Sequence, residues 1–110
     1  MDLIKNIIEM YKSGDGHVEV LTASVRNLDH FSAALSLGSD IITAPFKLIK
    51  DWKTKGMQVP EKYSYQGKGL KPIGYQDLDL EKNWQEFDIK HELTDAGIEK
   101  FASDWNALIE

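Results

Sequence analysis

The sequence predicts an α/β fold with a parallel sheet, and three observations carry that expectation. Apolar residues at the three-to-four spacing of one-faced helices alternate with short runs rich in β-branched residues. Short connections separate them, in the order helix, strand, helix, strand, helix, which is the grammar of repeated βα units. A regular apolar stripe near the end of the chain adds a last helix.

Leu3, Ile4, Ile7, Ile8 and Tyr11 recur along one helical face, and Ser13-Gly14-Asp15-Gly16 ends it. Val18-Glu19-Val20-Leu21-Thr22-Ala23 follows, apolar without strict alternation, as expected of a parallel strand covered on both faces by helices. Asn27 is a favourable N-cap for a helix carrying Leu28, Phe31, Ala34, Leu35 and Leu37, and Gly38 suits its C-terminal stop. Asp40-Ile41-Ile42-Thr43-Ala44 reads as a second buried strand. Pro45 opens the next helix, where its missing N–H costs nothing, and Phe46, Ile49 and Trp52 supply the apolar stripe.

Between residues 53 and 92 the periodicity fails. Gly56, Pro60, Gly67, Gly69, Pro72 and Gly74 punctuate a stretch holding Tyr63, Tyr65, Tyr75, Trp84 and Phe87. Loops beyond about 15 residues are uncommon in compact domains, and the aromatics favour an ordered, packed excursion. Residues 93–110 form the terminal helix, with Thr94 as its cap, Leu93 stapling onto Ile98, and a stripe of Ile98, Phe101, Ala102, Trp105, Leu108 and Ile109. Residues 1–110 are expected to form a single module.

A chain of 110 residues is long enough for one core. A hydrophobic share of 42% with 10% aromatics excludes disorder along the whole length. The absence of cysteine removes disulfides, thiolate metal sites and thiol nucleophiles. A formal net charge of −5 repels a phosphate backbone, so nucleic acid is not an expected partner. No apolar run approaches the roughly 20 residues needed to span a bilayer, and Met1-Asp2-Leu3-Ile4-Lys5-Asn6 is no signal leader. The expectation is a soluble, unsecreted, cytoplasmic protein with no membrane partner.

Ser24-Val25-Arg26-Asn27 lies between a strand end and a helix start, where helix N–H groups face a ligand. A phosphate group would meet the fork of Arg26, the hydroxyl of Ser24 and the backbone donors around Asn27. Spacing alone favours a solvated or salt-bridged Arg26 and a turn-forming Ser24. His17, His30 and His91 have no metal-ligand spacing and read as surface histidines. His91-Glu92 lacks the second histidine of a zinc-peptidase motif, and Gly67-Lys68-Gly69-Leu70-Lys71 lacks the strand and helix of a P-loop, leaving a turn. Asp77, Asp79, Glu81, Glu86 and Asp88 form a solvated acidic stretch without the glycine and glutamate offsets of a calcium loop. Neither a metal nor a cofactor is expected.

Residues 20–27, the helix after them and Asp40-Ile41-Ile42-Thr43-Ala44-Pro45-Phe46-Lys47 resemble the seventh and eighth strands of transaldolases and fructose-6-phosphate aldolases. Leu93-Thr94-Asp95-Ala96-Gly97-Ile98-Glu99-Lys100-Phe101 and Asp104-Trp105 resemble the terminal helix of the same family. The resemblance implies a partial (β/α)₈ TIM barrel: its C-terminal βαβα portion, a long loop and a terminal helix. It implies a Schiff-base aldolase of sugar-phosphate and carbohydrate metabolism, in the pentose phosphate pathway, whose serine and arginine matching Ser24 and Arg26 contact the sugar phosphate. The family's lysine nucleophile belongs to the fourth strand, and Lys47 and Lys50 fall after the eighth, so neither inherits that role. No catalytic residue is therefore expected here.

Two parallel strands have two open edges, whereas a (β/α)₈ barrel closes with eight strands over about 250 residues. The expected partners are a sugar phosphate and either the remainder of the barrel or a second copy joined through the terminal helix. The alternative is a non-catalytic oligomerisation module derived from the barrel.

Overall fold

The computed structural model describes residues 1–14 and 16–109. Its elements are α1 (Asp2–Tyr11), β1 (Leu21–Thr22), α2 (Leu28–Leu37), β2 (Ile41–Ile42), α3 (Phe46–Thr54), a 3₁₀ turn (Trp84–Glu86) and α4 (Glu92–Ile109). The chain separates into two compact units, residues 1–77 and 78–110.

In the first unit β1 and β2 pair in parallel, Leu21 opposite Ile41 and Thr22 opposite Ile42. The expected α/β grammar is present, with strands shorter than the six and five residues read from β-branched runs. Ladder bonds from Ile41 N to the Val20 carbonyl and from Thr43 N to the Thr22 carbonyl extend the pairing at either end. Polar side chains lock the same junction. The Asp40 carboxylate accepts from Val20 N at 2.8 Å, and Ser39 Oγ lies 2.8 Å from Thr22 Oγ1 and 2.9 Å from the Val20 carbonyl. A hydroxyl donates once and accepts twice, so the buried Thr22 can donate to Ser39 while Ser39 donates onward.

Alternation decides which face is covered. Val20 and Thr22 are buried at 8% and 2% exposure, whereas Leu21 between them is 48% exposed and Ile41 is 41% exposed. The expectation of strands covered on both faces is therefore corrected: one face joins the small core of Val20, Val25, Phe31, Ala33 and Ala34, and the opposite face is apolar and open.

Helix α2 follows its sequence signals at both ends. Asn27 Oδ1 accepts from His30 N at 2.8 Å. Gly38, at φ 75°, closes the helix, with Gly38 N bonded to the Leu35 carbonyl and Ser39 N to the Ala34 carbonyl, the paired bonds of a Schellman motif. Helix α3 starts one residue later than read, since Pro45 is the N-cap and its carbonyl accepts from Leu48 N at 2.9 Å. Its expected stripe is only partly used. Trp52 packs edge-on against Phe31 at a centroid distance of 5.3 Å, while Phe46 is 79% exposed.

The long segment after α3 is laced to the helices as far as Gly74. Trp52 Nε1 donates to the Gln58 carbonyl, Tyr63 N to Ser36 Oγ, and Ile73 N to Asp2 Oδ2. Gly67-Lys68-Gly69-Leu70 is a turn, closed by Leu70 N on the Gly67 carbonyl, with Gly69 at φ 78°. The Tyr63 hydroxyl donates to Asp29 Oδ1 at 2.8 Å. That hydrogen bond, then desolvation and the Asp29 charge, raise the phenol above its ordinary value of 10.0. A raised folded value means the contact contributes fully below the unfolded value and is lost as pH rises through the folded one. Asp29→Asn is expected to move Tyr63 ionisation to lower pH in an alkaline absorbance titration; an unchanged curve would remove this contact from the account.

The second unit holds α4. The helix begins at Glu92, with the His91 carbonyl accepting from Thr94 N and Asp95 N at 2.9 Å each. Thr94 as N-cap is thus corrected: it lies in the first turn. Leu93 is also helical, not ahead of a cap, and the Leu93–Ile98 staple is absent because the two are 79% and 62% exposed. Along the same helix Phe101, Trp105 and Leu108 are exposed. Among the described residues, no helix is long and apolar enough to cross a membrane.

Candidate functional site

The C-terminal ends of the two parallel strands turn into α2 and α3 at adjacent corners. Ser24, Val25 and Arg26 from the first corner and Thr43, Ala44 and Pro45 from the second line one shallow depression. Arg26 and Asn27 also line an adjoining recess with Asp29, Lys47 and Asp51. The three residues singled out in the sequence are therefore neighbours, and all three are exposed.

Local backbone geometry makes the corner. Ser24 has φ 56°, a left-handed conformation that costs a residue with a Cβ about 1–3 kcal/mol and persists only where the surroundings fix it. Val25, one residue on, is buried at 4% exposure and anchors the turn. Asn27 spends its side chain on the His30 N–H, so its contribution to a ligand is its backbone. Among the described residues, no bond satisfies the N–H groups of Asn27, Leu28 and Asp29 at the start of α2, nor those of Phe46 and Lys47 at the start of α3. Positive partial charge from two helix ends therefore faces the same region.

Arg26 is the only arginine of the chain. Among the described residues neither its guanidinium nor the Lys47 ammonium has an ion-pair partner. Two free cations, orphan amides and the Ser24 hydroxyl suit an oxyanion, and the carboxylates of Asp51 and of Asp29, which already accepts from the Tyr63 hydroxyl, line the same recess and suit hydroxyl groups.

Sequence reasoning missed two residues. Lys47 enters because α3 starts beside α2. His30, read as a surface histidine, is half-buried and bonded through both ring nitrogens: Arg26 N donates to Nδ1 at 3.4 Å, and Nε2 lies 3.1 Å from Tyr65 Oη. Its place three residues after the Asn27 cap, where capping boxes carry a reciprocating side chain, was the available signal. His91 is exposed, and among the described residues no group of three or more histidines and carboxylates is placed to hold a metal.

Parallel strands joined through a helix, with Arg26, Lys47 and two helix starts at their C-terminal ends, define an α/β arrangement of the βα-repeat class. The sequence model of the transaldolase/fructose-6-phosphate aldolase family matches residues 1–110, and the chain belongs to that family. It is similar to a probable transaldolase of Bdellovibrio bacteriovorus, 29% identical over 106 residues, covering 96% of this chain and 33% of the relative. A probable transaldolase of Caulobacter sp. is 30% identical over 105 residues, covering 96% and 32%, and one of Alkaliphilus metalliredigens is 27% identical over 109 residues, covering 99% and 34%. The chain spans about a third of the length of these curated relatives. No solved structure gives a significant match.

Proposed function

We propose that these 110 residues are the C-terminal βαβα portion of a transaldolase-type (β/α)₈ barrel and supply its sugar-phosphate-binding corner. Ser24 and Arg26 bind the phosphate through hydroxyl and guanidinium, and Asn27 through the backbone amides that begin α2. The observation that carries this reading is Arg26, without an ion-pair partner among the described residues, at the C-terminal end of a parallel strand, the end at which (β/α)₈ sites form. The open apolar face bearing Leu21 and Ile41 supports the partial barrel, because that side of a barrel strand faces the packed interior.

In this reading the module spans residues 1–110, the loop insertion read at 53–92 is the stretch 55–91 between α3 and α4, and the Schiff-base lysine lies on a strand outside these 110 residues. Chemistry then requires the remainder of the barrel, which also pairs with the free edges of β1 and β2. The test is calorimetry of the chain with fructose 6-phosphate and with fructose. Binding of the phosphate ester alone supports the corner; equal heats from both, or none, would refute it.

The same reading assigns the exposed stripe of Ile98, Phe101, Trp105 and Leu108 to contact with a second copy of the chain. A contiguous apolar helix face of this kind marks an association surface. Deleting residues 94–110 is expected to lower the oligomeric mass measured by light scattering. A mass equal to a monomer before and after truncation would contradict it.

A further inference from the structure

His30 joins the phosphate corner to the long segment after α3, and each link is a specific hydrogen bond. Its backbone N–H is taken by Asn27 Oδ1 at 2.8 Å, which fixes it in the first turn of α2. Its ring then reaches back past the cap, and Nδ1 accepts from Arg26 N at 3.4 Å. In a capping box the returning side chain bonds the N-cap amide; here it bonds the amide one residue earlier. On the other side Nε2 meets Tyr65 Oη at 3.1 Å, and the two rings pack edge to face at 5.4 Å and 65°.

Only an unprotonated ring nitrogen accepts from an amide, so this arrangement selects the neutral tautomer with hydrogen on Nε2, donated to the tyrosine oxygen. Without the ring, the Arg26 amide, two residues after the left-handed Ser24, would have no partner among the described residues, and the buried Val25 alone would hold its peptide. At 3.4 Å the bond is long and adds little to stability. Its effect is on direction: together with the buried Val25 it biases the peptide from which the Arg26 side chain departs and leaves the amides of Asn27, Leu28 and Asp29 as the donors facing an anion.

We propose that His30 is a positioning residue for anion capture, orienting the Arg26 turn through Nδ1 while Tyr65 holds its ring. The proposal rests on the phosphate-corner reading above. It makes Tyr65, in the long segment after α3, a part of the site through its contact with the ring.

The test uses the full ¹⁵N-labelled chain with inorganic phosphate as probe. Long-range ¹H–¹⁵N spectra of the imidazole should show the proton on Nε2 near neutral pH. His30→Ala should weaken phosphate binding about two- to threefold, the low end of what one neutral hydrogen bond covers, with little change in Tm. His30→Gln, whose amide both accepts and donates, should recover most of the affinity. Tyr65→Phe, which keeps the ring, should shift the tautomer ratio and weaken binding less than His30→Ala. A proton on Nδ1 in the wild type would overturn the proposal. So would wild-type affinity in His30→Ala alongside lost affinity in Arg26→Ala, a result that leaves the phosphate corner standing. Absence of phosphate binding by the wild type would remove the corner and the proposal together.

Discussion

Arg26→Ala should weaken binding of a sugar phosphate by roughly ten- to a hundredfold, because losing a charge-assisted hydrogen bond costs about 1.5–3 kcal/mol and each 1.4 kcal/mol is a factor of ten. The size of the effect follows from the absence of a substitute. Arg26 is the only arginine in the chain, and Lys47, the other cation of the recess, is a point charge that cannot form a planar fork. Arg26→Lys should therefore recover part of the affinity and not all of it. Arg26 is exposed and has no ion-pair partner among the described residues, so its removal should leave Tm nearly unchanged. Calorimetry with fructose 6-phosphate on the wild type and both variants checks this, and equal affinities in all three would make Arg26 an ordinary surface residue.

The second large effect is all-or-none. Borohydride added to this chain with dihydroxyacetone or fructose 6-phosphate is expected to trap no covalent adduct. A lysine forms a Schiff base at neutral pH when desolvation or a neighbouring cation lowers its pKa, which needs a preformed pocket. Every lysine among the described residues is exposed, and Lys47 and Lys50 sit on α3 beyond the strand ends. Mass spectrometry of the trapped protein provides the readout. Stoichiometric labelling of one lysine would show that the chain builds its own nucleophile.

What was legible in the sequence was local. Both ends of α2 could be read because Asn27 and Gly38 act within a few residues of themselves, and the structure uses both. The strands were over-extended because β-branched runs report that a segment suits a sheet, while strand length depends on which neighbour is there to bond. The open face bearing Leu21 and Ile41 was unreadable for the same reason: an apolar residue in a strand looks buried until the partner is known. Thr94 failed as a cap because the His91 carbonyl already takes the first helical bonds. At the corner, Ser24, Arg26 and Asn27 could be found as a contiguous motif. Lys47 and His30 needed the fold, the first because α3 starts beside α2, the second because its partner Tyr65 is far away along the chain.

The central claim is that the ends of β1 and β2 form one phosphate-binding corner. Amide shift mapping on the ¹⁵N-labelled chain tests it most directly, by titration with fructose 6-phosphate and, separately, with fructose. The account predicts phosphate-dependent shifts at Ser24 to Asp29 and at Phe46 to Leu48, lost in Arg26→Ala, with fructose producing none of comparable size. Shifts centred elsewhere in the chain, or the same shifts with fructose, would contradict it.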